Sequence, residues 1–330
     1  MKLSKKRITK MTHNIETKNG RASIVFAGQT PWHRLGQKVE NAFDSQTALQ
    51  EGGLDFTVEK VGIQCIDSPE TIPNRFALRR TDTKDVLGVV TDFYKPLQNR
   101  EAFAFFDGIF GKDKARYEVA GVLGKGEKVW LLAKLPGEFA IAGQDVLGKW
   151  LLLTNGHDTN EPVRARFTAI RVVCQNTLSA ALRGKESEVR IQHIGDVQKK
   201  LEIAGKLLKS AGLYFDELQT VFRGFAKKQV TRKILRQFAV DVVSDRGDKF
   251  EDLTGAAKKT VSRIEDLHDT GAGHDLKSVR GTLWGAYNAV TEMVDHERTG
   301  KTLGFILDGR GAELKQRAFT VAQEMTLGAN

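Results

Sequence analysis

The chain has 330 residues, 40% apolar and 28% charged, a balance typical of globular proteins with a core of ordinary size. No stretch approaches the roughly 20 consecutive apolar residues of a membrane-spanning helix, and the two cysteines, Cys65 and Cys174, provide neither a disulfide framework nor a zinc-binding spacing. The net charge of +10 favours polyanionic partners such as nucleic acid.

Residues 1–19 are predicted to form a basic, flexible segment. The start "MKLSKKRITK" is not followed by an apolar stretch, so a secretory signal is not expected. Two unpaired cysteines also fit a reducing compartment. We therefore expect a cytoplasmic protein that has no contact with a membrane.

Residues 20–192 predict an α+β domain with a mostly antiparallel sheet. Asp44 or Ser45 caps a short helix that stops at Gly52-Gly53, and apolar residues recur at helical spacing between 99 and 111. Strand-like segments joined by short turns surround these helices. They lie at 55–66, 74–82, 84–94, 115–123, 128–136, 149–158 and 164–175.

Three local features of this half carry specific expectations. Gly124-Lys125-Gly126 lies between two strands, so it predicts a hairpin turn and not a phosphate-binding loop, which needs a following helix. Asn155-Gly156 predicts a turn after a strand. Gln175-Asn176-Thr177 predicts the cap at which the strand after residue 163 gives way to a helix.

Residues 193–330 are predicted to be a helical region, packed on the sheet or forming a second subdomain. Apolar positions from Val197 to Phe225 alternate in steps of four and three, which indicates a helix with one buried seam. We expect the seam to pack on the chain's own sheet, with a neighbouring subunit as the alternative. Further helices are predicted near 231–244, 251–268, 276–299 and 310–327.

The histidines lack the spacing of a metal site, and we expect no metal, no cofactor and no catalytic residue. Cys174 could act as a nucleophile beside Arg171 and Arg183, but a core position is favoured because cysteine is often buried. A polar set at Asn176, Trp284, Asn288, Asp295 and His296 leaves an enzyme as a minor alternative. An enzyme would open this helix face into a polar pocket, whereas a structural helix would bury Trp284.

Basic segments without acidic residues are the main indication of nucleic-acid binding in this sequence. Residues 163–184 contain four arginines and residues 221–236 contain six basic residues, with no acidic residue in either. Such segments suit phosphate contacts, because each guanidinium fork matches phosphate oxygens, although a solvated basic face is the alternative. The predicted phosphate contacts are Arg164, Arg166, Arg171, Arg223, Lys227, Lys228, Arg232 and Lys233. Trp32 and Tyr94 are the predicted platforms for base stacking.

Three stretches resemble one family. "TPWHRLGQKV", "RARFTAIRVVCQNTLSAAL" and "GTLWGAYNAVTEMVDHERT" are similar to the phage/plasmid-like protein family, also described as domain of unknown function 932. The resemblance runs from about Met11 to residue 327. The sequence differs from the family pattern at Arg34, where a glycine is expected. It implies a phage- or plasmid-encoded protein of the bacterial cytoplasm, active in DNA metabolism, and brings no catalytic residues.

We therefore expect a non-enzymatic protein that binds single-stranded DNA as a homo-oligomer. A role in strand annealing of the Rad52-like kind is compatible with this pattern as a fold-level analogy. The alternative is a non-catalytic interaction protein that modulates a host or phage complex, with its basic faces incidental.

Overall fold

The computed structural model describes residues 15–28, 36–110, 116–158, 161–173, 177–178, 188–193, 211–244, 247–297, 305–306 and 309–328. Strands dominate the first half of the described chain. They are β1 (Thr17–Lys18), β2 (Arg21–Ala22), β3 (Ile24–Ala27), β4 (Gln37–Val39), β5 (Val58–Gln64), β6 (Thr71–Arg80), β7 (Val86–Thr91), β8 (Arg116–Leu123), β9 (Lys128–Ile141), β10 (Asp145–Gly156), β11 (Val163–Arg171), β12 (Thr177–Leu178) and β13 (Glu188–Ile191).

Helices are concentrated in the second half. They are α1 (Ser45–Glu51), α2 (Asn99–Phe110), α3 (Ala211–Lys227), α4 (Arg232–Val243), α5 (Gly255–Thr270), α6 (Leu283–Glu292) and α7 (Arg310–Leu327). A 3-10 turn spans Phe250–Asp252, and α6 continues into a π-helical turn at Met293–Glu297. The α+β class, with a helical second half, is confirmed.

The main sheet has the strand order β12-β11-β10-β9-β8-β3-β4, and β13 also pairs with β11. All of its pairings are antiparallel except that of β3 with β4. Strands β5, β6 and β7 form a separate antiparallel sheet. The long central strands β9 and β10 are rich in leucine, valine and tryptophan, which suit a sheet covered on its faces.

Several local predictions are confirmed. Asp44 caps α1, with its Oδ1 accepting from the backbone N of Thr47 at 2.8 Å. The segment between β8 and β9 is a hairpin turn. Its Gly126 has a φ of +114°, and a Cβ there would lie 2.9 Å from Arg80 Cδ, so both backbone angle and space require glycine.

Three local predictions are wrong. Asn155 and Gly156 form no turn: they end β10 opposite β9, because buried partners hold the Asn155 side chain inside the protein. Thr177 and Leu178 are strand residues paired with β11, so no helix begins there. Ile15 is buried and bridged to Leu123, and Thr17–Lys18 pair with β2, so ordered structure begins before residue 19.

One continuous core joins the sheet to the helices. The Phe215 ring of α3 lies 6.4 Å from the Phe139 ring and 5.7 Å from the Phe167 ring, measured between centroids. Leu218, Phe222 and Phe225 continue this buried stripe along α3. The predicted seam therefore packs on the chain's own sheet near Phe215, whereas Phe222 and Phe225 pack on α6 and α7. Residues 197–210 lie outside the described residues.

Two buried histidines fasten the segment before α2 to the main sheet. His157 Nε2 donates to Asn99 Oδ1 at 2.9 Å, and His193 Nδ1 accepts from the backbone N of Leu97 at 3.4 Å. Burial, together with the charges of His193 and Arg80, lowers the pKa of His157 to about 3. Burial also lowers the pKa of His193 to about 4, against a smaller opposite effect of its backbone bond with Lys95. Both imidazoles are therefore neutral in the folded protein at pH 7.

These lowered pKa values predict a protein that loses stability on mild acidification. Unfolded histidine takes up a proton near pH 6.5, whereas the folded protein binds it only near pH 4 and below, so the unfolded state gains protons first. Between pH 7 and pH 5 each histidine should lower the free energy of unfolding by about 2 kcal/mol. Urea denaturation at both pH values measures this loss.

The variants His157→Gln and His193→Gln should each flatten this pH dependence. The matched control is His274→Gln, because His274 is exposed and its replacement should leave the dependence unchanged. An identical loss between pH 7 and pH 5 in the wild type and both buried-site variants would contradict the assignment.

Candidate nucleic-acid interface

The two arginines at the start of β11 share an acidic partner. Arg166 donates through Nε to Glu188 Oε2 at 3.2 Å, and Arg164 Nε lies 3.7 Å from Glu188 Oε1. Only 18% of the Arg164 side chain and 15% of the Arg166 side chain are exposed. The segment contains no acidic residue, but strand pairing with β13 supplies one, so this strand offers less positive charge than predicted.

Arg171 is fully buried, and its prediction as a phosphate contact is wrong. Its Nε lies 2.7 Å from both carboxylate oxygens of Asp145, and its Nη1 donates to the Ala272 carbonyl at 2.8 Å. The indole Nε1 of Trp284 donates to Asp145 Oδ2 at 2.8 Å. The guanidinium joins β11 to β10 and to the helical half, so no phosphate can reach it.

The prediction of Tyr94 as an exposed stacking platform is also wrong. Tyr94 is 9% exposed, its ring stacks on His193 with centroids 5.0 Å apart, and its hydroxyl donates to the Gly156 carbonyl at 3.4 Å. The ring is therefore packed inside the protein and is not available to stack on a base. Trp32, Cys174, Gln175 and Asn176 lie outside the described residues.

The basic residues on the helices lie at the surface. Arg223 and Lys227 are one turn apart on α3 and exposed, because the other side of the helix carries the buried phenylalanines. Lys228 is half-buried, and Arg232 and Lys233 are exposed in the first turn of α4. We call these five residues the helical basic surface. Within the described chain, Arg232 has an acidic partner, Asp269, while the other four form no ion pair.

Backbone hydrogen bonds hold the corner between α3 and α4. Val230 N donates to the Gly281 carbonyl at 2.9 Å, and Leu283 N donates to the Lys228 carbonyl at 2.8 Å. Thr231 caps α4, with its Oγ1 accepting from Ile234 N at 3.3 Å. The corner is therefore fixed against the start of α6, and with it the backbone that carries the basic side chains.

A groove of about 530 Å³ lies beside this corner, between α4, α5 and the 3-10 turn. Its lining combines four basic residues, two acidic residues and an aromatic ring. The lining residues are Arg232, Lys233, Arg236, Gln237, Val240, Lys249, Phe250, Glu251 and Glu265.

Arg236 is the most constrained side chain in the groove. Its Nε donates to Glu265 Oε1 at 2.9 Å and its Nη2 to Glu265 Oε2 at 3.1 Å, and these bonds raise the pKa of its guanidinium. Its Cζ lies 4.8 Å from the centre of the Phe250 ring. Lys249 and Phe250 were not among the binding residues predicted from the sequence. A basic residue next to an aromatic one, in a loop rich in acidic residues, was the signal that could have indicated them.

The polar residues of α6 are mostly internal. Trp284 is fully buried, and Asn288 Nδ2 donates to the Trp284 carbonyl at 2.8 Å. Asp295 forms an ion pair with Lys315 at 2.8 Å in which each side chain is 3% exposed. His296 is exposed. A buried Trp284 is the arrangement expected of a structural helix.

The described residues lack both a metal-binding cluster and a membrane-spanning helix. No group of three or more histidine, cysteine, aspartate or glutamate side chains is placed to hold a metal ion there. Nor does any helix in that part of the chain have the length and apolar character needed to cross a membrane.

The architecture is thus that of an α+β protein with a basic corner on its helical half. The family model described as Domain of unknown function (DUF932) matches residues 86–324, and the chain belongs to this family. The match includes the motifs around residues 163–184 and 281–299, and the Pro-Trp-His motif near residue 32 precedes it. No curated protein and no solved structure matches the chain.

The burial of Arg171 predicts a large loss of stability when it is replaced. Arg171→Met leaves the Asp145 carboxylate buried without its main counter-charge, which should lower the free energy of unfolding by about 3–5 kcal/mol. The double variant Arg171→Met/Asp145→Asn should lose less than Arg171→Met alone, because no charge is left uncompensated. Urea denaturation of both proteins measures the difference.

Arg190→Met is the matched control, since Arg190 also pairs with a carboxylate but 62% of its side chain is exposed. We expect this control to lose less than about 1 kcal/mol. A double variant less stable than Arg171→Met, or equal losses at Arg171 and Arg190, would contradict a structural role for the buried pair.

Proposed function

We propose that this protein binds single-stranded DNA through the helical basic surface and the adjoining groove. The observation that carries the proposal is the exposure of Arg223, Lys227, Arg232 and Lys233 at one fixed corner, next to a groove that contains an aromatic ring. The corner supplies cations that can neutralise phosphates, and the groove supplies a flat apolar surface that can meet a base.

The proposed mechanism needs no catalytic group. Lysine and arginine side chains release counterions as they neutralise phosphates, and this gives an affinity that depends on salt more than on sequence. A strand held through its backbone keeps most bases accessible for pairing, which suits a role in strand annealing. Assembly as a homo-oligomer would align several corners along one strand.

The cellular setting is also part of the proposal. We place the protein in the bacterial cytoplasm and assign it to a phage or plasmid, where single-stranded DNA arises during replication and recombination. The net charge of +10 supports a polyanionic partner in this setting.

A second candidate function is a non-catalytic interaction protein that modulates a host or phage complex. The small sheet favours it, because several large apolar side chains there are exposed, and such residues are typical of protein–protein contacts. They are Ile66, Ile72, Val86, Val89 and Phe93. The affinity for a partner that binds this sheet would not change when residues of the helical basic surface are replaced.

A salt series tests the DNA proposal. Wild-type protein should bind a single-stranded oligonucleotide at low salt, and log affinity should fall linearly with log salt by about 0.7 for each phosphate contacted. The variant Lys227→Glu/Lys233→Glu should weaken binding at least ten-fold and lower the slope by about 1.5. Fluorescence anisotropy with single- and double-stranded oligonucleotides measures both quantities.

Lys38→Glu/Lys95→Glu is the matched control, because it makes the same charge change at two exposed lysines of the sheet half. Equal weakening by the two double variants would place the interface elsewhere. Absence of binding at low salt would reject the DNA proposal and leave the interaction protein as the better candidate.

A further inference from the structure

The groove holds an arginine whose hydrogen-bonding edge is already used. Two of the Arg236 nitrogens donate to the two oxygens of Glu265, so the guanidinium plane is fixed by a bidentate contact. The charge of Arg236 is largely compensated by the same contact. A phosphate would have to compete with this carboxylate, which makes Arg236 a poor phosphate ligand.

The flat face of the Arg236 guanidinium can still contact a ligand. The Phe250 ring lies 4.8 Å from Arg236 Cζ and supports the guanidinium, while 52% of the Arg236 side chain is exposed. Guanidinium planes stack on nucleobases as aromatic rings do. An arginine that is flat, fixed by Glu265 and supported by Phe250 is therefore preorganised to meet a base.

Two lysines beside this platform are suited to phosphates. Lys233 lies on α4 and Lys249 directly precedes the 3-10 turn, and both line the groove and are exposed. Neither forms an ion pair within the part of the chain that the structure describes. The groove volume of about 530 Å³ is in the range of pockets that hold small ligands, which leaves room for one nucleotide.

We infer that Arg236, supported by Phe250, is a base-stacking platform that holds one unpaired nucleotide, whose phosphates contact Lys233 and Lys249. This inference rests on the proposed function and makes it more specific. In a duplex both faces of every base are covered by neighbouring bases, so the platform accepts a single strand and discriminates against double-stranded DNA. Arg236 thus determines specificity, while the lysines provide affinity.

A purely structural role for Arg236 is the competing explanation. Arg232 pairs with Asp269 and Arg236 pairs with Glu265, so two ion pairs join α4 to α5 along their lengths. A structural pair would be insensitive to whether the DNA carries bases. The experiment must therefore separate the contribution of the bases from that of the phosphates.

An oligonucleotide and its abasic counterpart of equal length provide this separation, because they present the same phosphates. Wild-type protein should bind the thymidine oligomer about ten-fold more tightly than the abasic strand. Arg236→Lys keeps the positive charge but removes the plane, and Phe250→Leu keeps an apolar side chain but removes the ring. Both variants should lose most of this preference and retain the salt slope of the wild type.

Two controls define the result. Lys233→Ala should weaken binding of both strands equally and lower the salt slope, as expected of a phosphate contact. Arg263→Lys makes the same substitution on α5, at an arginine that is 42% exposed and ion-paired with Glu297 and Asp266, and it should leave the preference intact. Thermal unfolding of each variant confirms that it is folded.

The possible outcomes separate the two proposals. If the wild type binds the thymidine and abasic strands equally, or if Arg236→Lys and Phe250→Leu keep the full preference, the stacking platform is rejected while DNA binding stands. If the wild type binds neither strand at low salt, both proposals are rejected. Loss of the preference in both variants, with Arg263→Lys unchanged, supports the platform.

Discussion

The buried ion pair of Asp145 and Arg171 is the contact on which the arrangement of the two halves depends. Asp145 opens β10 and Arg171 closes β11, and each side chain is fully buried. Trp284 donates to the same carboxylate from α6, and the Ala272 carbonyl accepts from the guanidinium. A buried charge is tolerated only when it is paired and hydrogen-bonded, so the sheet and the helices must meet in this one geometry.

The basic residues on the strands differ in burial and in ion pairing from those on the helices. On the sheet, Arg80 and Arg171 are buried, and Arg164 and Arg166 lie against Glu188. Folding brings carboxylates close to these arginines, Asp145 to Arg171 and Glu188 to Arg166, so positive charge is compensated within the sheet. On α4, Arg232 and Arg236 pair with carboxylates of α5. The other basic residues of the helical basic surface form no ion pair within the described chain, so positive charge accumulates at this corner.

Local features of the fold could be predicted from sequence, but long-range partners could not. The Asp44 cap of α1 and the hairpin at Gly126 depend on residues within a few positions, and both were predicted. Glu188 is 22 positions from Arg166, and the partner Asp145 is 26 positions from Arg171. A segment without acidic residues therefore says little about which residues lie near it in the fold. Asn155 is a second case, because it forms a buried hydrogen bond to the Leu97 carbonyl instead of the predicted turn.

The same long-range contacts connect the buried ion pair to the candidate site. Trp284, which donates to Asp145, directly follows Leu283, whose backbone nitrogen donates to the Lys228 carbonyl. Lys228 lies at the corner that presents the helical basic surface. The backbone of this corner is therefore linked through Leu283 to the helix whose Trp284 contacts the buried ion pair. Arg171, which was predicted to contact phosphate, is therefore a buried residue. It helps to hold in position the helices that carry the exposed cations.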